Sequence, residues 1–250
     1  MPSAGNSVTT AVEVASVAGL EEFGDNGRQV GEPWGHHSMS RISLDAAIQE
    51  AAGRDPVLAN LVTLVGPITY RSGDPDGHFG ALVRSIVFQQ LAGSAARAIH
   101  ARVRATVPGE LTPAALWAVP DEALRAAGLS ANKLAALRDL SAKVIDGTVD
   151  LDKSARPDDD IIASLVTVRG IGRWTAEMYL MFELRRLDVW PVDDLGVRQG
   201  YGLAWQRDPP PTAKELAPLG DRFRPYRSIV ARYCWEAVAL YRGGTDPSLR

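Results

Sequence analysis

The residues with the most chemical potential lie in two short stretches of the second half of the chain. In LDVWPVDDLGVRQGYG, residues 187–202, the adjacent acids Asp193 and Asp194 follow a proline-stiffened loop and precede an apolar-periodic run. A carboxylate there can cap the N-terminus of the next helix. Held in a water-poor site, it can also stabilise a developing positive charge or activate water. In LVTVRGIGRWTAEMYLMFEL, residues 165–184, Gly170-Ile171-Gly172 separates two apolar helical runs. Two glycines around one aliphatic residue permit a tight reversal with positive φ, and Ile171 can point inward and pin it. Backbone N–H groups at the start of the second helix, aided by its dipole, favour a phosphate. Arg169 and Arg173 bracket the turn and would add cationic contacts to a nucleic-acid backbone, although the same pattern also serves as a plain turn between core helices.

Other reactive side chains are few. The lone cysteine, Cys234, excludes an intramolecular disulfide, a multi-cysteine zinc site and a four-thiolate iron–sulfur cluster. His36 and His37 are adjacent in a Gly-rich stretch and read as solvated rather than as metal ligands. No intrinsic metal and no cofactor are expected. The net charge of −3 argues weakly against a nucleic-acid partner, but its distribution matters more. Residues 1–40 carry Arg28 against five acids, whereas residues 165–232 carry eleven basic side chains against eight acidic ones.

The elements that must position these groups read as helices. Apolar residues recur at three- and four-residue intervals in residues 79–93, 94–107, 132–147 and 159–168. Ser94 and Asp158 stand as candidate N-caps, Thr112-Pro113 as a first turn and Gly147 after a last one. Residues 62–71 fit either a helix or a strand. The expected fold is all-α. Residues 1–40, polar and without sustained periodicity, read as a disordered leader. No apolar run approaches the ~20 residues needed to cross a bilayer, and no secretory signal opens the chain, which points to the cytoplasm.

With these blocks in order, the chain resembles the helix-hairpin-helix DNA glycosylases. VRGIGRWTA is followed, twenty-two residues after Gly172, by the second Asp of WPVDDLGVRQ. Within that superfamily the chain is most similar to the AlkA-type 3-methyladenine DNA glycosylase II. IVFQQLAGSAARAI (86–99), LRAAGLSANKLAALRDLS (124–141) and RFRPYRSIVARYCWEAV (222–238) resemble further blocks of it. The match spans about residues 41–243, and residues 1–40 are too short and polar to form the N-terminal α/β domain of the AlkA-type enzyme.

The resemblance implies two helical lobes with a cleft between them. Residues 41–76 and 187–243 would form the lobe carrying the catalytic Asp194, residues 77–186 the lobe carrying the hairpin, and residues 244–250 a tail. It implies double-stranded DNA containing alkylated bases as partner, with Gly170, Gly172, Arg169, Arg173 and Thr175 on the backbone. Gln90 would be the wedge filling the gap left by a flipped nucleotide, with Gln89 beside it; a polar helix end is the alternative. Trp174 and Trp235 match pocket aromatics, though core packing suits both. Leu195 and Met178 stand where the AlkA-type enzyme has aromatics, which bears on the range of accepted bases. A cation held by hairpin carbonyls in the DNA complex is a further implication. Strand-cleaving relatives carry a nucleophilic Lys where this chain has Trp174, so the resemblance implies hydrolysis to an abasic site without strand scission. The competing readings are a non-catalytic DNA-binding module and an oxidised-base glycosylase/lyase.

Overall fold

A computed structural model describes residues 42–70, 72–151 and 156–242; the leader, its two histidines and the tail lie outside them. Among the described residues every regular element is helical. The order is α1 (Leu44–Ala52), α2 (Pro56–Val65), α3 (Gly77–Phe88), α4 (Gly93–Thr106), α5 (Pro113–Ala118), α6 (Asp121–Ala126), α7 (Ala131–Ile145), α8 (Asp158–Leu165) and α9 (Arg173–Met178). A π turn over Tyr179–Glu183 prolongs α9, and α10 (Leu195–Ala204), α11 (Ala213–Leu219), a 3-10 turn (Asp221–Phe223) and α12 (Arg227–Arg242) complete the chain. Of the ambiguous stretch 62–71, residues 62–65 end α2, residues 66–70 run without regular structure, and residue 71 lies outside the described residues.

Local chemistry explains most boundaries. The Thr112 side chain accepts from the Ala115 N–H at the start of α5, with Pro113 at the first helical position. Gly147, at φ +79°, takes the left-handed conformation just beyond α7. Two expected caps are displaced. α4 starts one residue before Ser94, with Ala92 extended at its N-cap and no side-chain cap. α8 starts at Asp158 itself, because Pro157, which lacks an N–H, occupies the N-cap; Asp158, Asp159 and Asp160 then fill the first turn, where the helix dipole favours acids. The helix expected through residue 93 stops at Phe88. Lys133 Nζ donates to the carbonyls of Val87 and Gln89 at 2.7 and 2.8 Å, and Gln90 turns into the left-handed region at φ 56°. A side chain from α7 thus completes the end of α3, which α3's own sequence cannot reveal.

α2 packs on α1, and α12 packs on both of them and on α10; α3, α4, α6 and α7 form a second packing group that α5 joins through α7. The α9 segment runs from the C-terminal end of α8 to α3 through its π turn. One apolar core threads the whole, with Leu58, Leu82, Ile86, Leu137, Val197 and Ile229 removed from water. Each such side chain contributes about 1.5–3 kcal/mol relative to exposure.

The closest helix contact is between α10 and α12. A Cβ on Gly200 would overlap the backbone carbonyl of Cys234, so the two backbones touch with no side chain between them. Burial pushes the Cys234 thiol upward from its ordinary range and leaves it inert. Gly200→Ala is therefore expected to destabilise the fold by at least about 3 kcal/mol, or to prevent folding, measured by urea denaturation.

Candidate active site

Asp194 stands at the N-cap of α10, with its backbone extended at φ −70°, ψ 119°. Its Oδ1 accepts from the Val197 N–H at 2.7 Å, the bond a capping aspartate makes. Capping is only part of its environment. Oδ1 also accepts from Trp235 Nε1 at 2.9 Å, and Oδ2 accepts from Trp174 Nε1 at 2.6 Å. Three donors from α9, α10 and α12 thus converge on one buried carboxylate, which retains 6% exposure. Neutral N–H donors satisfy the oxygens without adding a cation, so the group keeps its acceptor character and loses its rotational freedom.

The loop that delivers Asp194 is anchored along its length. Ser228 Oγ accepts from the Val189 N–H at 2.9 Å, and the Ser228 N–H donates to the Leu187 carbonyl at 2.9 Å. Asp188 binds Arg224 and Arg227 at 2.8 and 2.7 Å. Trp190 Nε1 donates to the Leu216 carbonyl, and the Asp194 N–H closes a turn onto the Pro191 carbonyl. Asp193, the other acid of the pair, is exposed and caps nothing.

The two indoles that bind Asp194 differ in environment. Trp174 is 39% exposed while its N–H is engaged, which leaves ring surface free beside the carboxylate. Trp235 is half-buried, and Phe182 stacks on it with centroids 5.8 Å apart and planes 22° from parallel. Phe182 was not picked out by its sequence position. It reaches Trp235 from the π turn that follows α9, so one segment holds Asp194 directly through Trp174 and indirectly through Phe182. Leu195, next to the aspartate, is exposed, and Gly196 lies where a Cβ would press on the Trp235 ring. Met178 is buried in the core rather than displayed beside Trp174.

At the hairpin, Gly170 is left-handed at φ +80°, but Gly172 is an ordinary extended N-cap at φ −89°, ψ 172°, so one positive φ suffices for the reversal. Ile171 is buried and pins the turn, with its N–H on the Val168 carbonyl at 3.0 Å. No side chain caps α9, and a Cβ on Gly172 would meet nothing within 4 Å. Arg169 is tied back: its N–H donates to Asp139 Oδ2 and its guanidinium reaches Asn132 Oδ1 at 3.3 Å. Arg173 projects with 59% of its side chain exposed. Thr175 is buried, because the helical period turns it to the core face of α9 with Met178 three residues on.

Gln89 and Gln90 divide roles. Gln89 Nε2 donates to the Gly170 carbonyl at 2.8 Å and joins the end of α3 to the hairpin. Gln90 and Leu91 are exposed at the bend, an apolar neighbour that composition alone did not mark.

Glu177 was also missed. At four residues from Arg173 it reads as half of a surface helix pair, but its side chain is 4% exposed, and Arg173 Nε meets Oε1 at 3.0 Å. Burial, opposed by Arg173 and reinforced by Asp193 and Asp194, pushes its carboxyl up to about 7.

The model of the HhH-GPD superfamily of base excision DNA repair proteins matches residues 83–224. DNA-3-methyladenine glycosylase 1 of Schizosaccharomyces pombe is 33% identical over 203 residues, covering 79% of this chain and 89% of that protein. The crystal structure of a DNA-3-methyladenine glycosidase from Bacillus halodurans superposes with TM-score 0.74 at 34% identity, covering 79% of this chain and 91% of the other. The S. pombe 3-methyladenine DNA glycosylase in complex with abasic DNA gives 0.68 at 32% identity, covering 78% and 97%.

Two outcomes are expected. Trp235→Phe keeps a ring against Phe182 but removes one donor from Asp194, and should slow turnover about tenfold with little change in DNA affinity, measured by single-turnover kinetics. A carboxyl raised from 4.5 to about 7 on folding makes the native state bind a proton that the unfolded state releases, so stability falls as pH rises through that window. Urea denaturation across pH should find this fall, on the order of 1–3 kcal/mol, in the wild type and not in Glu177→Gln.

Proposed function

Because the chain belongs to the HhH-GPD superfamily of base excision DNA repair proteins, we propose that it is a DNA glycosylase that hydrolyses the N-glycosidic bond of alkylated purines in double-stranded DNA. The observation that carries this reading is the buried carboxylate of Asp194, fixed by Trp174, Trp235 and the α10 backbone beside an exposed ring face. The α1, α2, α10 and α12 group and the group built on α3 to α7 serve as the two lobes, with α9 between them.

A base stacked in a duplex is out of reach, so the enzyme rotates the nucleotide outward, at a cost of a few kcal/mol that is smaller at a damaged base. Gln90, exposed on its left-handed bend, fills the space left in the stack, and Leu91 adds apolar surface there. Arg173 and the N–H groups at Gly172 hold the phosphate backbone. Gly172 owes nothing to strain or internal packing, which suits close approach by an outside backbone. Arg169, Thr175 and Gln89 support the hairpin from behind. A cation on the hairpin carbonyls would share the Gly170 oxygen with Gln89 Nε2.

Alkylation gives the purine a positive charge, so it attracts the π face of Trp174 and leaves with little acid assistance. As the glycosidic bond lengthens, positive charge moves to the sugar, and the Asp194 carboxylate stabilises it electrostatically. Three of its roughly four acceptor directions are filled, so one on Oδ2 remains for the sugar or the attacking water. Trp174 offers no amine at the position of the lyase nucleophile, so the product is an intact strand with an abasic site. Leu195, exposed beside the carboxylate, shapes the mouth of the base site, and Met178 backs it from the core.

The test is release of bases from methylated duplex DNA, read by mass spectrometry together with strand integrity. Wild type should release methylated purines without strand breaks or a borohydride-trapped adduct. Asp194→Asn should lose at least about a hundredfold in rate. Equal rates for the two would overturn the role of Asp194, and a trapped adduct would overturn hydrolysis.

A further inference from the structure

Among the described residues, Glu177 is the buried acid beside the candidate site to which the hydrolytic reading gives no task. Its geometry ties two parts of that site together. Arg173, at the first position of α9, is more than half exposed, yet its Nε rests on a carboxylate almost wholly removed from solvent. Trp174, the next residue, holds Asp194 Oδ2. The charged groups acting on Glu177 are Arg173 on its own helix, and Asp193 and Asp194 on the loop opposite. α8, which packs on α9, keeps Asp158, Asp159 and Asp160 in its first turn, at the end away from the hairpin. On the π turn, Glu183 is engaged by His78 at 3.2 Å. Arg173 is therefore the cation that opposes burial at Glu177.

A phosphate at the hairpin competes for that cation. Arginine binds phosphate oxygens strongly, and an exposed guanidinium swings outward at small cost. We propose that Glu177 is a positioning residue that makes DNA binding proton-linked: when Arg173 engages a phosphate, Glu177 loses its ion pair and takes up one proton from solvent. The inference rests on the proposed contact of Arg173 with DNA. Balance is simple: the carboxylate and a solvent proton give the neutral acid, and no other bond changes. A buried carboxylate left unpaired beside two others is the costlier state, and the added phosphate charge disfavours it further. The consequence for the chemistry lies at Asp194. With Glu177 neutral, Asp194 carries the negative charge of the site without a buried like charge behind it, at the stage when positive charge develops on the sugar.

Calorimetric titration of the full chain with a duplex carrying a tetrahydrofuran abasic analogue, in HEPES and Tris at the higher pH and in acetate and bis-Tris at the lower one, counts the protons taken up from the dependence of the heat on buffer. At about pH 7.5 the wild type should take up roughly 0.5–0.8 proton, and near pH 5.5 almost none, because Glu177 is then protonated before binding. Glu177→Gln should bind the duplex and take up less than about 0.2 proton at either pH. Uptake of the wild-type size in Glu177→Gln overturns the proposal, as does binding by the wild type without uptake at the higher pH. Should that variant fail to fold, wild-type uptake that does not fade toward the lower pH overturns it alone. Absence of any duplex binding by the wild type would instead strike at the glycosylase reading itself.

Discussion

One carboxylate and three N–H groups organise this molecule. Val197, Trp174 and Trp235 belong to three different helices, and Asp194 is where they meet. A buried carboxylate is costly unless its oxygens are satisfied, so each donor must arrive within hydrogen-bond distance or the group is destabilising. That condition reaches outward through the fold. It requires α9 to leave the hairpin in a direction that lays Trp174 against the loop, and it requires α12 to lie close enough to α10 for Trp235 to reach.

The second requirement is met by removing side chains rather than adding them. Gly200 lets α10 approach the Cys234 backbone directly, and Gly196 leaves room for the Trp235 ring one turn earlier. The loop between α9 and α10 is then held by Ser228 and Arg227 in the first turn of α12, and by Arg224 just ahead of it, the two arginines sharing Asp188. α12 thus serves as both floor and anchor for the candidate site, and its interior position explains why so many of its residues are apolar.

Much of this was legible because it rests on local backbone chemistry. Gly170-Ile171-Gly172 announces a reversal, and an acid ahead of an apolar run announces a cap; both stand where expected. Boundaries governed by tertiary contacts were not legible. Residues 79–93 carry a continuous helical period, yet α3 ends at Phe88 because Lys133, from α7, takes its last carbonyls. Glu177 has the spacing of a solvated helix pair, and nothing in that spacing says that one partner is buried. Phe182 escaped for a different reason. Its partner, Trp235, lies on α12, and the periodicity of its own segment does not say which ring of another helix it meets.

The π turn after α9 accommodates one extra residue. A five-residue backbone ring in place of the ordinary four is what a helix adopts when it carries one residue more than its path requires. Removing that residue would let an ordinary helical ring close over the same path, so the chain beyond it would keep its direction toward the Asp194 loop. The turn would then offer four places for five side chains, and the contacts of Phe182 with Trp235 and of Glu183 with His78 and the Asp74 N–H could not all be kept. The extra residue thus adds a side chain to the support of the indoles without moving either end of the segment.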